Sequence, residues 1–206
     1  MATRSALRGV DSPGGNSQQS NRVTLTTVTS QPMLRLRPAV ARDALRLSVL
    51  ATQVFLDTYA TGGIRESIAH EVTELLSVDA FSAILGDPRS AIVLAECDDH
   101  TIGFVHVTSG AAPERVDDPA AEIVRLYVQQ PFVDRGIGSD LLARAEHLAA
   151  VSGASSAWLT AWSGNQRALA FYARRGYADR GSTIHELQGE RHENRLFVKA
   201  INRPSS

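Results

Sequence analysis

The chain has 206 residues and carries 21 Lys and Arg against 22 Asp and Glu, a formal net charge of -1. That length suits one domain with an extension and a sizeable core. The charge balance excludes a general nucleic-acid or membrane-surface role, which needs a basic surplus. The lone cysteine, Cys97, excludes an internal disulfide and fits a reducing, cytoplasmic setting.

Neither a membrane helix nor a secretory signal is expected, because no apolar run is long enough. Residues 1–31 read as a disordered N-terminal extension, since Asp11 to Asn21 is rich in Ser, Gln, Gly and Asn. Within it the Thr/Val-rich run Val23 to Thr29 has the pattern of a stray strand. The globular domain is placed at 32–203. Leu34 and Leu36 alternate with Arg35 and Arg37 as a strand, and Pro38 ends it. A helix follows with Ala41, Leu45, Val49 and Thr52 as its inner face, reaching toward Tyr59. Gly62-Gly63 breaks the chain, and Ile64 to Leu76 forms a second amphipathic helix. Asp57, Glu66, Glu71 and Glu74 read individually as solvated charges.

Phe81 to Leu85 is a short helical segment closed by Gly86-Asp87-Pro88. Ala91 to Cys97 and Ile102 to Thr108 form a hairpin around the polar turn Asp98-Asp99-His100. Cys97, in an apolar run, reads as core rather than nucleophile. His106 alternates with Ile102 and Phe104, and reads as a hydrogen-bonded strand histidine rather than a base. The six histidines show no metal-binding spacing, so no metal site is expected. Ser109 to Asp118 reads as a mobile loop.

The organising unit runs from Glu122 to Gly153. Ile123, Val124, Leu126, Tyr127 and Val128 form a buried strand, broken by Gln129-Gln130-Pro131. Arg135-Gly136-Ile137-Gly138-Ser139 then opens a helix whose Leu141, Leu142, Ala145, Leu148 and Ala149 recur at helical spacing. Glycines at a helix start admit a close ligand, and the unpaired first-turn amides and the helix dipole favour phosphate. A tight turn with no ligand has the same local pattern. A Walker loop is excluded because Ser139-Asp140 stands where Lys-Ser/Thr is needed. A dinucleotide fingerprint is excluded by Leu141 at its third small position. Ala157 to Trp162 is the next strand. Asn165 is placed to cap the helix Gln166 to Arg175, which Gly176 ends. Tyr177 to Leu187 and Asn194 to Ile201 read as closing strands around the polar loop Gln188 to Glu193.

Two stretches resemble motifs of the GCN5-related N-acetyltransferase superfamily. Val133-Asp134-Arg135-Gly136-Ile137-Gly138 is similar to its motif A, Arg/Gln-x-x-Gly-x-Gly/Ala, with Val133 in place of the usual Arg or Gln. Asn165 to Tyr172, with Gly176-Tyr177 and Gly181, matches motif B at every position. The resemblance covers roughly residues 33 to 201. Phe55 to Tyr59 further resembles the small-molecule, polyamine-acetylating members.

The resemblance implies a mixed α/β fold, with a mostly antiparallel central sheet flanked by helices and splayed into a V-shaped cofactor cleft: the acyl-CoA N-acyltransferase fold. It implies acetyl transfer from acetyl-CoA to a primary amine, here a small molecule, by direct attack and without a metal. Tyr172 is implied as general acid. Glu122 is implied as base, or as a residue that orients the acceptor. Leu126 and Val128 are implied to meet the cofactor through backbone amides, Arg135, Gly136, Ile137, Gly138 and Ser139 to hold its pyrophosphate, and Asn165 to hold its pantetheine arm. Protein N-terminal or lysine acetylation, and a non-catalytic acetyl-CoA sensor, are the alternatives. No nucleic-acid or membrane partner is expected, and a homodimer is left open.

Overall fold

In the computed structural model, residues 33–110, 116, 119–187 and 189–202 are described. The predicted extension 1–31 and most of the predicted loop Ser109–Asp118 lie outside them. One seven-stranded sheet runs through the domain in the order β1-β2-β3-β4-β5-β7-β6. Its strands are β1 (Leu34–Pro38), β2 (Ser90–Cys97), β3 (His100–Gly110), β4 (Ala120–Val128), β5 (Ser156–Trp162), β6 (Ala178–Leu187) and β7 (Glu190–Ala200). Every neighbouring pair is antiparallel except β4 and β5. The helices are α1 (Ala44–Tyr59), α2 (Glu66–Glu74), α3 (Val78–Gly86), α4 (Ile137–Val151) and α5 (Gln166–Arg174). None of them is long and apolar enough to cross a membrane.

The sheet separates two apolar layers. On one face α4 lays Leu141, Leu142, Ala145 and Ala149 against Val93, Val105, Ala121 and Ile123. On the other, Leu47, Leu50, Phe55, Ile68 and Phe81 from α1–α3 pack on Ile92, Leu94 and Phe104. β2 and β3 are covered on both faces, which is why they read as continuous apolar runs. Between them Asp98 and Asp99 both take positive φ, 48° and 65°, the left-handed pair that a two-residue hairpin turn demands. His100 therefore belongs to β3 and not to the turn.

The inner face of α1 differs from the sequence expectation. Ala44, Leu47, Leu50, Ala51 and Phe55 face the core, whereas Leu45 and Val49 are 61 % and 62 % exposed. Two apolar stripes coexist on this helix, and the stripe with Phe55 buries more surface. The closing hairpin is also longer than expected. β7 starts at Glu190, so the polar stretch once read as loop pairs along the sheet edge, His192 with His185 and Glu193 with Ile184. Alternating polar residues suit an edge ribbon with little core to cover.

Outside the cleft, a buried ion cluster ties β1 to β2 and to the turn before α1. Arg37 donates to both carboxylate oxygens of Asp43, at 2.7 and 2.9 Å, and to both of Glu96, at 2.9 and 2.7 Å. Asp43 is fully buried and also accepts from the Val40 amide at 2.9 Å. The Arg37 hydrogen bonds hold Asp43 at about 2 and keep Glu96 below the usual carboxylate range.

Removing Asp43 leaves Arg37 with Glu96 as its remaining partner and the Val40 amide without its acceptor. Asp43→Ala should therefore cost about 1–3 kcal/mol in urea unfolding near neutral pH. Both carboxylates are held below their unfolded values. The stability they add is thus complete above about pH 5 and is lost as pH falls toward about 2. A urea midpoint that does not move in either experiment would refute the assignment.

Candidate active site

The site exists because β4 and β5 stay together for only three positions. Ala120, Ala121 and Glu122 pair with Ser156, Ala157 and Trp158, and from there the two strands part. β4 continues on β3 alone and β5 on β7 alone. A bulge marks the divergence: His106 and Val107 of β3 face Arg125 and Ile123, leaving Val124 as the extra residue. The bulge reverses the alternation. Ala121 and Ile123 face the α4 layer before it, and Leu126 and Val128 pack against that layer after it. Tyr127 joins the α1–α3 layer.

Beyond the bulge, Gln129 donates to Ile102 at 2.9 Å. In an antiparallel ladder that makes Tyr127 the next residue bonded to β3. The amides of Leu126 and Val128 then turn away from β3 toward the gap, with no strand to receive them.

The gap is a cleft of about 480 Å³. One wall is Val54, Asp57, Thr58 and Tyr59 from the end of α1, and the floor is Leu126, Tyr127 and Val128. The other wall is the turn Val133 to Ser139, with Asn165, Ala168, Phe171 and Tyr172. Gly136 caps α4 with φ of 85°, a conformation that only glycine adopts without strain. No side chain caps this helix, so its first-turn amides and dipole are open to an anion. Asn165 accepts from the Ala168 amide at 3.1 Å and so fixes the start of α5 beside the cleft.

Of the predicted site residues, Leu126, Val128, Gly136, Gly138, Ser139, Asn165 and Tyr172 line this one cleft. Arg135, Ile137 and Glu122 do not. Arg135 lies over the Phe132 ring at 5.4 Å, and Ile137 is buried under its own turn. Glu122 is half-buried at the last paired position, on the face that also carries Arg125 and Tyr127. Burial raises its pKa, partly opposed by the charge of Arg125.

Tyr172 packs edge-on to Phe171 and Tyr177, with ring centroids at 5.2 and 5.8 Å. Burial, and then the nearby Tyr59, push its phenol well above the ordinary value. Tyr127 is raised in the same way, by burial first and then by Tyr59. The Tyr59 phenol is raised by burial and by Glu71. One carboxylate oxygen of Glu71 is buried with no hydrogen-bond partner among the described residues. Tyr59 also meets Trp162 of β5 at 5.8 Å, an aromatic contact that reaches across the gap.

His106 behaves as the sequence suggested. It is buried, its Nε2 lies 3.1 Å from Thr108 Oγ1 and 3.3 Å from Ser90 Oγ, and burial lowers its pKa to about 4. Among the described residues no group of three or more His, Cys, Asp or Glu is gathered as a metal site.

Sequence reasoning missed the arginines of the cleft. Arg167, Arg174 and Arg175 all line it. The signal was present: Arg167, Phe171, Arg174 and Arg175 stand at i, i+4, i+7 and i+8 on one helix face.

A parted parallel pair, unpaired strand amides and a glycine-started helix define an acyl-CoA N-acyltransferase architecture. Known proteins agree. The profile described as the acetyltransferase (GNAT) family matches residues 60–177. An uncharacterised N-acetyltransferase of Mycobacterium tuberculosis strain H37Rv is 32% identical over 74% of this chain and 93% of its own. One from Lactobacillus delbrueckii subsp. lactis is 26% identical over 78% and 93%. Among solved structures, the PaiA N-acetyltransferase of Thermoplasma acidophilum in complex with coenzyme A superposes with a TM-score of 0.63. It shares 20% identity and covers 82% of this chain and 99% of that one. A GNAT-family acetyltransferase from Streptococcus pneumoniae gives 0.62 at 24% identity, over 82% and 100%. The chain belongs to the GNAT acetyltransferase family, and it is an N-acetyltransferase.

The chain has four tyrosines, and the pKa of each is raised, burial being the first cause in every case. Such phenols stabilise the fold only while neutral, so their contribution is complete below about pH 10 and is lost as pH rises above it. Phenolate absorbance should therefore appear only together with loss of the native circular dichroism. A tyrosine that titrates near pH 10 in the folded protein would contradict this burial.

Proposed function

We propose that this chain moves the acetyl group of acetyl-CoA directly to the primary amine of a small molecule. The observation that carries the reading is the single cleft, which joins an anion-suited helix start to strand amides without partners and to a buried phenol. The Gly136–Ser139 turn receives the pyrophosphate, and Asn165 receives the pantetheine amides. Leu126 and Val128 donate to the thioester oxygen, and they hold the oxyanion that develops when the amine attacks. These donors are fixed by the sheet, so little reorganisation is needed as charge forms.

An amine with a pKa of about 10.4 must shed a proton before it attacks. Glu122, its carboxyl raised by burial, takes that proton through water, since it stands at the apex of the gap and not in the cleft itself. Tyr172 serves the leaving group. Its raised pKa keeps it protonated over the whole working range, so it always presents a hydrogen to the departing thiolate sulfur.

The acceptor side favours a small, cationic molecule. Asp57 lines it, Glu71 stands behind Tyr59, and the Tyr59–Trp162 contact narrows it. A protonated amine is drawn to such a surface before it is deprotonated.

Thiol release from acetyl-CoA is the measurement, against polyamines, amino acids, aminoglycosides and N-terminal peptides, with calorimetry for binding. Release with a small amine supports the proposal. Release with peptides alone would make the chain a protein acetyltransferase, and binding without release on any acceptor would make it a sensor. Tyr172→Phe should lower kcat by well over about tenfold with acetyl-CoA affinity retained. Glu122→Gln should lower kcat by about a hundredfold at neutral pH, with recovery as pH rises toward the amine's own pKa. Unchanged turnover in either variant would remove that residue from the mechanism.

A further inference from the structure

The glycine turn of this chain lacks a cation where its motif usually has one. Val133 occupies that position and lines the cleft with its aliphatic side chain. A guanidinium nevertheless reaches the turn from another element. Arg175, the residue that ends α5, donates through its Nη2 to Ser139 Oγ in the first turn of α4. Its guanidinium carbon lies 5.5 Å from the centroid of the Phe171 ring, so the aromatic face holds the group in place. Arg175 and Ser139 both line the cleft.

Electrostatically this is an unfavourable place for a cation. The N-terminus of α4 carries the positive end of the helix dipole, and a second positive charge there is repelled. Among the described residues Arg175 has no carboxylate within ion-pair distance, whereas Arg167 of the same helix face pairs with Asp134 at 3.3 Å. Asp140, also in the first turn of α4, is exposed and does not pair with it. An incoming phosphate reverses the sign of the interaction. Its oxygens accept from the α4 amides and from the guanidinium together, and each charge then stabilises the other's partner.

We propose that Arg175 is the pyrophosphate-binding cation of this chain's donor site, supplying from α5 the charge that Val133 does not supply from the glycine turn. The inference rests on the donor-site reading above. It assigns no chemistry to Arg175: the residue positions the donor and does not act on the reacting atoms.

The test is calorimetric binding of acetyl-CoA to the wild type, to Arg175→Gln, to Arg175→Lys, and to the double variant Val133→Arg with Arg175→Gln. Arg175 is exposed and its loss removes no core contact, and thermal melting without ligand checks each fold. Arg175→Gln should weaken binding by about tenfold to a hundredfold, with a flatter salt dependence. Arg175→Lys should fall between, because it keeps the charge but not the planar fork. Adding Val133→Arg should restore most of the lost affinity. Arg175→Gln should raise the KM for a short acetyl thioester without phosphates, acetyl-N-acetylcysteamine, far less than it raises the KM for acetyl-CoA. Equal acetyl-CoA binding by wild type and Arg175→Gln would overturn the proposal and leave the donor site standing. Equal losses with the phosphate-free thioester would also overturn it. A wild type that does not bind acetyl-CoA would instead overturn the donor-site reading itself.

Discussion

The cleft in this molecule depends on three residue pairs. Ala120, Ala121 and Glu122 hold β4 to β5, and nothing holds them beyond. A sheet that parts leaves backbone donors and acceptors with no ladder, and buried groups of that kind must find partners. Among the described residues no strand receives them, which leaves them to water or to a ligand in the gap. The separation is rigid because each strand keeps a complete neighbour on its other side, β3 for β4 and β7 for β5. The Val124 bulge sets where the parting begins and turns Leu126 and Val128 to the α4 side. The amides of Leu126 and Val128 that face the gap are thus a consequence of sheet geometry and not of any particular side chain.

The charges around the gap are segregated in a way the net charge of -1 hides. Arg174 and Arg175 gather with the start of α4 on one wall, where Asp134 pairs with Arg167, and Asp57 stands on the other with Glu71 behind it. Such a field favours anions on the wall that carries Arg174 and Arg175 and cations on the wall that carries Asp57. The strongest ion cluster, Arg37 with Asp43 and Glu96, lies elsewhere, fastening the edge strand β1 to the sheet. Its stabilising role and the site's electrostatic role are therefore separable.

The donor side was legible in the sequence because its demands are local. Gly136 must take a left-handed conformation, Asn165 must cap a helix, and Gly176 must end one with φ of 84°. Each requirement restricts one residue type at one position, and the order of strands and helices follows from the same punctuation. What was not legible depends on distant packing. The choice between two apolar stripes on α1 was made by Phe81 and Phe104, far along the chain. Polar edge pairing between β6 and β7 leaves no apolar period to read. The role of Arg175 depends on α5 ending beside α4, a juxtaposition of residues 36 apart. Glu122 was legible as a strand residue, but its place at the last pair before the strands part depends on Trp158 of β5, distant in sequence.

The α1 wall shows how a cleft opened by the sheet is limited by side chains. Tyr59 closes against Trp162 across the gap, and Phe55 supports Tyr59 from below with ring centroids 4.8 Å apart. The Trp162 ring in turn lies over Gly164, where an added Cβ would stand 2.4 Å from a ring carbon. No side chain fits there without moving the indole, so the turn that leads into α5 also fixes the aromatic contact. The same turn places Asn165, and through it Tyr172. The width of the cleft beside Tyr59 and the start of the helix that carries Tyr172 are therefore set by one short segment, Trp162 to Asn165. Widening the passage beside Tyr59 would displace that helix.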